Sequence, residues 1–591
     1  IFLRELVSNA TDAITKRANL ARGLNQEIPE GKVQVFVAPK EKTITLTDNG
    51  VGMTEDEVEK YIAQLAFSGA EEFIEKMKEQ GANTQNQLGE DIIGKFGLGF
   101  YSAFMVAHKV EIDSLSMQEG SKPTRWICSG DTEYQFSDSD MSEVGTRITL
   151  HINEESEEFL SETKVVETLR RFCDFMPYEI SVLDVEREPT YPKNEDGTED
   201  KSQVPTPPQP TIVNETKPLW RYNPNELKDE DYINFYKKLY PMESDPLFWI
   251  HLKVDHPFTL EGILYFPKLN PHKPFNDRDI RLYSKQVFVS DNVKNIIPDF
   301  LGLLKGAIDS TDIPLNVSRS SLQGDPNIRK ISNYVVKKVA EALKKLAKQD
   351  REKYENIWDD IGMFIKYGCI SDTKFDEMMR PYVLYKGTSG KYLTLDEYRE
   401  SIPEQYKEKM QDLVLYFEKD KSDWSLRKQL HEVGVEAIET DDHIDPHFMQ
   451  HAEMQQKDEK KLRFSSVDSE ISNILETENA TEDDGKIQDL FKQYLVGEEK
   501  EEAQGPNLKE VEVARIKNAT SPAYFKIDES MKRMQKMTQS MGQPNQFPLK
   551  RTLVVNSNNP LIKNAYKLSS QGNKQELVEK ICRHVEDLAM I

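Results

Sequence analysis

The first residues whose types and spacing could do chemistry lie near the start of the chain. Glu5, Asn9 and Asp12 are four and three positions apart, so on a helix they fall, with Lys16, in one stripe about 60° wide. A carboxylate in this stripe could orient and deprotonate a water molecule. An amide oxygen could complete the coordination of a Mg²⁺ ion held mainly by phosphates and water. A solvated helix face is the more common meaning of such a stripe, so its interpretation depends on the motifs further along the chain.

The second candidate is the glycine-containing turn Asp48-Asn49-Gly50-Val51-Gly52-Met53, which comes after a strand-like segment. A carboxylate at a strand end can accept a hydrogen bond from an amine donor such as the adenine amino group. The two glycines let the backbone approach a base closely. Considered alone, the motif is more often a tight turn without a ligand.

A third block, Gly94-Lys95-Phe96-Gly97-Leu98-Gly99-Phe100, opens an apolar segment that is predicted to be helical. Backbone N–H groups in such a turn, together with the positive end of a helix, can bind phosphates. It is not a Walker loop, because no Gly-Lys-Ser/Thr comes after it, and close packing of a helix on a strand is the alternative. Together the three blocks predict an ATP site, in which Asp12 and Thr146 complete the hydrogen bonds around the base.

These blocks, in this order, resemble the nucleotide site of the ATPase superfamily that groups gyrase B, heat-shock protein 90, histidine kinases and MutL. Along nearly the whole chain the sequence also resembles the heat-shock protein 90 chaperones, and its short linker without a long Lys/Glu run resembles their bacterial, HtpG-like branch. The segments that carry this resemblance are Phe2–Ala13, Ile93–Phe104, Lys217–Trp220, Asn223–Pro224, Asp312–Arg319, Leu322–Gln323, Thr520–Ala523 and Asn559–Ile562.

The resemblance implies a chaperone that binds and hydrolyses ATP with Mg²⁺ and closes as a clamp-like homodimer on unfolded or partly folded client proteins. It also makes other chaperones candidate partners. By that match Glu5 is the catalytic carboxylate, Asn9 the ligand on the magnesium side and Asp48 the adenine ligand. The other residues that the match places around ATP are Asp12, Gly52, Met53, Gly94, Lys95, Phe96, Gly97, Leu98, Gly99, Phe100 and Thr146.

Arg319 is the second catalytic residue that the resemblance implies. It would reach the γ-phosphate from the domain after the linker, with Gln323 near it, so that hydrolysis depends on domain docking. On residues alone, an arginine in a Ser-Arg-Ser-Ser loop is as readily an ordinary surface residue.

Four methionines form another candidate surface. Met531, Met534, Met537 and Met541 step by three, three and four amid Lys, Gln and Ser, which predicts one stripe of a helix. Such a stripe is more often core, yet the flexibility of methionine suits a surface that accepts many partners. The family exposes an amphipathic segment in this domain, which favours client contact.

Composition narrows the function classes. The chain has 77 Lys and Arg against 102 Asp and Glu, a net charge of −25, which disfavours nonspecific nucleic-acid binding. No apolar run reaches the roughly 18 residues of a membrane span. The four cysteines, with no CxxC spacing, indicate buried thiols in a reducing compartment, and therefore a cytoplasmic protein without disulfides or a zinc site.

The helices and strands predicted around these residues indicate an α+β multidomain protein. Its domains are an ATP-binding α/β sandwich at 1–185, a proline-rich linker at 186–216, an α/β middle domain at 217–480 and a smaller α+β dimerisation domain at 485–591. Further expectations are a β-hairpin at 33–47, a helix from 54 to about 66, a lid at 81–91, one helix at 155–175, one strand at 281–289 and an acidic break at 476–484.

Two other functions compete with the chaperone. A topoisomerase or mismatch-repair ATPase would act on DNA and needs a basic surface, which the net charge disfavours. A scaffold that binds nucleotide without turnover is disfavoured by the presence of Glu5 and Arg319. The chain starts in mid-helix without a methionine, and by comparison with the family we expect it to be truncated at both ends.

Overall fold

The computed structural model describes most of the chain. The described residues are 2–23, 27–63, 99–130, 133–191, 204–268, 279–290, 297–312, 326–419, 424–441, 443–455, 461–476, 481–496, 508–516, 521–540, 551–572 and 574–590. They fall into two compact units, Ile1–Val335 and Val336–Ile591.

An eight-stranded sheet is the base of the first unit. Its strands are β1 Lys32–Ala38, β2 Thr43–Asp48, β3 Ala107–Leu115, β4 Thr124–Cys128, β5 Tyr134–Asp138, β6 Gly145–Ile152, β7 Glu179–Asp184 and β8 Thr211–Ile212. Their spatial order is β5-β4-β3-β6-β2-β1-β7-β8, with β1 and β7 parallel. The alternation that predicts the hairpin at 33–47 is confirmed, because Val33, Val35 and Val37 are all buried. The edge strand β5 was not predicted.

Helices pack on the apolar face of this sheet. They are α1 Phe2–Gly23, α2 Glu55–Val58 and α3 Glu162–Phe172, with 3₁₀ segments at Gly99–Met105 and Glu154–Leu160. The apolar side of α1 is buried, as its period predicts. The expected helix at 155–175 is wrong as a single element, because Ser161 is extended (φ −93°, ψ 123°) and separates the 3₁₀ segment from α3.

The helix expected from Thr54 begins as predicted but changes its geometry. Thr54 and Glu57 form the predicted capping box. The α-helix then ends at Val58 and continues as a π-helical turn over Glu59–Ala63. The rest of this helix and the lid expected at 81–91 lie outside the described residues.

A second sheet of five strands belongs to the first unit. It contains β9 Phe248–Val254, β10 Leu260–Phe266, β11 Asp279–Ser284, β12 Val287–Ser290 and β13 Lys305–Asp309 in the order β12-β11-β13-β10-β9, and it packs with α4 Asp229–Leu239. The single strand expected at 281–289 is wrong. Lys285 and Gln286 have φ of 52° and 66°, which reverses the chain and makes β11 and β12 a hairpin.

The end of the predicted linker is tied to the first sheet. Thr190 and Thr206 form a β-bridge, and β8 pairs with β7. The Asn214 side chain donates to the carbonyl oxygens of Met176 (2.8 Å) and Tyr178 (2.7 Å). Backbone pairing and these bonds hold the last part of the linker against the sheet.

The second unit contains a five-stranded and a three-stranded sheet among helices. The strands are β14 Tyr385–Gly387, β15 Tyr392–Leu393, β16 Leu413–Glu418, β17 Ile438–Thr440, β18 Arg463–Ser466, β19 Leu508–Ala514, β20 Ala523–Ile527 and β21 Arg551–Asn556. The helices are α5 Pro326–Gln349 (shared with the first unit), α6 Arg351–Asn356, α7 Trp358–Ser371, α8 Thr373–Met379, α9 Leu395–Ser401, α10 Trp424–Val433, α11 Asp445–Met454, α12 Val467–Leu475, α13 Glu482–Leu495, α14 Glu529–Ser540, α15 Pro560–Ser569 and α16 Gln575–Leu588.

The acidic break expected at 476–484 is shorter than predicted. Thr481 and Asp484 form a capping box that starts α13, so acidic residues at its end stabilise a helix N-terminus. Asp484 also accepts from Arg515 Nε at 2.7 Å. All four cysteines are free and buried. No helix in the described part of the chain is long and apolar enough to span a membrane.

Candidate functional site

The predicted polar stripe of α1 begins with an ion pair between neighbours. Arg4 donates to Glu5 Oε1 from Nε at 3.1 Å and from Nη2 at 2.9 Å, and both side chains keep 31% of their surface exposed. The Arg4 guanidinium also lies 5.9 Å from the centroid of the Phe172 ring. The Glu5 carboxylate is therefore held by a neighbouring cation while it remains open to solvent.

The rest of the stripe runs along the same helix face. Asn9 is exposed and Asp12 is partly buried. At 1.5 Å per residue, Asn9 lies about 6 Å and Asp12 about 10 Å from Glu5 along the helix axis. The stripe is long enough for its two ends to serve different parts of one elongated ligand.

The turn after β2 packs on the far end of this stripe. Val51 N–H donates to the Ala13 carbonyl oxygen at 3.1 Å, and Arg17 Nη1 donates to the Asn49 carbonyl oxygen at 2.7 Å. A Cβ atom on Gly50 would lie 2.5 Å from Ala13 Cβ, so glycine is required for this approach. Helix α1 and the Asp48 turn thus form one wall.

The Asp48 carboxyl of this wall has a raised pKa. Its Oδ1 accepts from the Gly50 N–H at 2.8 Å. Burial raises the pKa of the Asp48 carboxyl to about 7, against opposing effects from that N–H and from the charge of Arg17. A partly buried carboxyl with one oxygen held by the backbone is suited to accept a hydrogen bond from a ligand amine.

A row of three polar side chains crosses the sheet at this point. Asp48 on β2, Thr146 on β6 and Ser114 on β3 are register partners and share one face. Ser114 Oγ lies 3.0 Å from Thr146 Oγ1, donates to the Gly145 carbonyl oxygen at 3.1 Å, and accepts from Met53 N–H at 2.9 Å. The structure therefore brings together Asp48, Thr146 and Met53, as predicted.

Ser114 is the residue of this row that the motifs did not single out. It ends a predicted strand, and a serine there is unremarkable until the pairing of β3 with β6 is known. Gly145 was also missed. Its φ is +151°, and a Cβ atom there would lie 2.1 Å from the Asp48 carbonyl oxygen.

Gly52 is required at its position for a similar reason. Its φ is +65°, and a Cβ atom would lie 1.9 Å from the Leu115 carbonyl oxygen. No other residue type could occupy this position without moving β3. The second glycine of the predicted motif therefore lets the turn pack directly against β3 in the wall of the site.

The predicted phosphate block is only partly described. Gly99 opens the 3₁₀ segment, and the Phe100 side chain is 4% exposed, with its ring 6.3 Å from that of Phe104 and 6.1 Å from that of Trp126. The Phe100 ring is therefore core, and only its backbone could face a phosphate. Of the other predicted site residues, Gly94, Lys95, Phe96, Gly97, Leu98, Arg319, Gln323 and Met541 lie outside the described residues.

The predicted methionine stripe lies on α14. Met531 is partly buried and Met534 is 47% exposed, while the side chain of Met537 is not among those described. The opposite face carries Lys532, which binds both oxygens of Asp468 at 2.5 and 2.6 Å. Arg533 is also on that face and donates to the Glu453 carboxylate at 2.6 and 3.1 Å. This helix packs through charges, and Met534 is its exposed methionine.

The oxygen donors of the α1 stripe fit a Mg²⁺ ion that is bound together with a nucleotide. The Asn9 amide is exposed between Glu5 and Asp12, and amide and carboxylate oxygens are the donors that Mg²⁺ prefers. Within the described part of the chain, no cluster of three or more His, Cys, Asp or Glu could hold a metal ion without other ligands. The residues present therefore suit an ion held chiefly by phosphates.

Two protein-family profiles match the chain. One, described as Histidine kinase-, DNA gyrase B-, and HSP90-like ATPase, matches residues 2–149. The other, described as Hsp90 protein, matches residues 190–591, which is more than half of the chain. The first match contains the α1 stripe and the row on the sheet.

The chain is also similar to curated proteins named Chaperone protein HtpG. It is 40% identical to those of Bacteroides thetaiotaomicron and Porphyromonas gingivalis, in each case over 95% of this chain and 80% of the relative. It is 31% identical to that of Oceanobacillus iheyensis over 98% of this chain and 90% of the relative. The alignments with these relatives cover 95% or more of the chain, and the Hsp90 profile covers residues 190–591.

Proposed function

The chain belongs to the heat-shock protein 90 family and is an ATPase, and from this premise we propose that it uses ATP to close a homodimer on client proteins. The clients would be unfolded or partly folded proteins. The observation that carries the proposal is the row of Asp48, Thr146 and Ser114 beside the far end of the α1 stripe, where Asp12 lies about 10 Å from Glu5 along the helix axis. A base can bind at one end and a terminal phosphate at the other.

At the base end, Asp48 would bind adenine. Its ionised carboxylate accepts a hydrogen bond from the adenine amino group, while Gly50 N–H holds Oδ1 in place. Thr146 and Ser114 supply hydroxyls beside it. Gly52 and Met53 form the adjoining wall, because the Met53 N–H is held by Ser114.

At the phosphate end, Glu5 would orient the attacking water and accept its proton. Arg4 holds one carboxylate oxygen and so limits the orientations available to Glu5. Asn9, one turn further on, would complete the coordination of Mg²⁺, which when bound neutralises phosphate charge. Residues 94–100 would surround the phosphates, with Lys95 as their cation.

Arg319 would reach the γ-phosphate from the middle domain, with Gln323 near it. An arginine supplied by a second domain makes turnover depend on docking, because the transferring phosphate gains its last positive charge only on closure. The support is the match of both residues to the family's pattern. We propose 1–185, 186–216, 217–480 and 485–591 as the ATP domain, linker, middle domain and dimerisation domain.

Clients would bind at the outward face of α14. Met534 is exposed and the ion pairs of Lys532 and Arg533 occupy the opposite side of the helix. A flexible apolar side chain can contact many sequences. The free, buried cysteines suit a reducing compartment, so we propose a cytoplasmic protein that has other chaperones as candidate partners.

The experiment that tests this proposal couples turnover to client protection. The full-length natural protein is mixed with a thermally unfolding client, and ATP hydrolysis and light scattering are followed together. At an ATP concentration near the wild-type Kd, we expect Asp48→Asn to lower ATP turnover and the effect of ATP on aggregation together. Client protection that is identical with and without ATP, in a protein that hydrolyses it, would contradict the coupling.

A further inference from the structure

At the end of α3 the chain turns a corner at residues 172–175. This corner contacts the second sheet and α4. It precedes the proline-rich linker, yet its neighbours come from residues after that linker. A linker of this composition would by itself leave the flanking regions free to move. The contacts of the corner therefore decide whether these regions behave as one body.

Phe175 is the buried centre of these contacts. Its side chain is 1% exposed and belongs to the apolar cluster of the second sheet and α4. Its ring centroid lies 4.9 Å from that of Trp220, 5.5 Å from Tyr283 and 5.7 Å from Phe235. Three aromatic rings from beyond the linker thus enclose one ring from before it.

Polar contacts surround this aromatic centre. The Asp174 carboxylate accepts from Tyr283 OH at 3.2 Å and lies 3.4 Å from Arg281 Nη1. Gln286, at the turn between β11 and β12, donates from Nε2 to the carbonyl oxygens of Phe175 (2.6 Å) and Thr216 (3.0 Å). The hairpin β11–β12 therefore binds both the corner and the end of the linker.

A second aromatic contact leads from the hairpin to the catalytic carboxylate. The Phe288 ring on β12 meets the Phe172 ring at 5.9 Å with an interplanar angle of 62°. Phe172 lies beneath the Arg4 guanidinium at 5.9 Å. Arg4 donates two hydrogen bonds to Glu5. Four side chains in contact thus connect β12 with Glu5.

We propose that the corner 172–175 and the hairpin β11–β12 form a joint that positions Glu5 for hydrolysis through Phe172 and Arg4. This rests on the proposed function in assigning Glu5 to hydrolysis. Phe172 and Phe288 are positioning residues, since neither touches nucleotide or water. Asp174, Phe175 and Tyr283 hold the joint closed. Through this joint, a change in the position of the second sheet changes the position of Glu5 at the ATP site. The effect does not depend on the linker.

A double-mutant cycle tests the route to Glu5. Phe172→Ala, Phe288→Ala and the double variant are compared for ATP turnover and nucleotide Kd in the full-length natural protein. We expect each single variant to lower turnover about two- to tenfold, the range of a lost aromatic pair, with Kd within about twofold. The double variant should be no slower than the slower single one, because both single variants break the same route to Glu5 at the contact between Phe172 and Phe288.

The matched control is Phe136→Ala. Phe136, like Phe288, is partly buried on an edge strand and has a T-shaped contact, to Tyr134 at 5.8 Å. Phe136→Ala should leave ATP turnover unchanged. A loss of turnover in Phe288→Ala alone would then not be explained by general destabilisation of the fold. Equal losses in Phe136→Ala and Phe288→Ala, wild-type turnover in both, or additive losses in the double variant would each overturn the route.

A distance measurement tests the joint independently of catalysis. Spin labels are placed at Glu41→Cys and Asp255→Cys, both exposed, while the native cysteines are buried. We expect one narrow distance distribution in the wild type and a broad one when Tyr283→Phe is combined with Phe288→Ala. An unchanged distribution would overturn the joint. A wild-type protein that hydrolyses no ATP would instead refute the proposed function. The distance measurement would still test the joint, because it does not depend on ATP hydrolysis.

Discussion

At the scale of single residues, the proposed function makes nucleotide recognition depend on Asp48. A hydrogen bond to a charged acceptor carries about 1.5–3 kcal/mol. Asp48→Asn should therefore weaken ATP binding by at least about tenfold in titration calorimetry. Asp138→Asn is the control, because Asp138 also ends a strand but is exposed. Equal affinities in Asp48→Asn and the wild type would refute the adenine contact.

The raised pKa of Asp48 predicts how binding depends on pH. In the nucleotide-free protein the carboxyl titrates near pH 7, whereas adenine requires the ionised form as acceptor. Nucleotide affinity should rise by roughly tenfold between pH 6 and pH 8, as the ionised fraction rises, and binding at pH 7 should release protons. Calorimetry in buffers of different ionisation enthalpy measures that release. Proton uptake, or no pH dependence, would contradict the assignment.

The same shift has the opposite consequence for the nucleotide-free fold. Asp48 has a higher pKa folded than unfolded, so the unfolded chain loses its proton first as pH rises. Asp48 therefore lowers the free energy of unfolding progressively as the pH rises from about 4 to about 7. Above pH 7 it lowers this free energy no further. Bound nucleotide should offset this loss.

Glu5 is expected to act on water and not on affinity. Glu5→Ala should keep the nucleotide Kd within about twofold and lose nearly all steady-state turnover, because the loss falls on the transition state alone. Asn19→Ala, on the same helix, is the control and should retain both. A Glu5 variant that binds ATP poorly yet hydrolyses it at a normal rate would reverse the roles of Glu5 and Asp48.

At the scale of elements, α14 is held by buried ion pairs. Lys532 and Asp468 keep only 8% and 15% of their side-chain surface exposed. Lys532→Met should lower the free energy of unfolding of this region by about 3 kcal/mol, because it leaves the mostly buried Asp468 carboxylate without its cation. Chemical denaturation measures this loss in the free energy of unfolding. Lys580→Met, which breaks an exposed pair with Glu576, should cost less than about 1 kcal/mol.

At the scale of the whole molecule, Arg319 separates a clamp from a free-standing ATPase. If it reaches the γ-phosphate on closure, Arg319→Ala should leave ADP affinity unchanged, since ADP lacks that group. Turnover should fall, because the transition state loses a charge. Steady-state ATPase with a distance reporter across residues 186–216 measures both effects. Normal turnover and normal closure would make Arg319 an ordinary surface residue.

The sequence by itself determined those parts of the site that depend on local geometry. The stripe of α1, the hairpin of β1 and β2 and the capping box at Thr54 arise from periods and caps within a few residues. The same holds for Gly52, whose positive φ belongs to its own turn. Each of these features needs only neighbours along the chain, which a sequence displays directly.

The tertiary structure alone decided which distant residues meet. Ser114 joins Asp48 only through the register of three strands, and Phe175 is enclosed by rings from beyond the linker. Lys285 and Gln286 take positive φ that their side chains do not favour, and α14 buries its charges because acids from other elements pair with them. The physical reason is common to all four: local preference is weak, and contacts between segments far apart in the chain outweigh it.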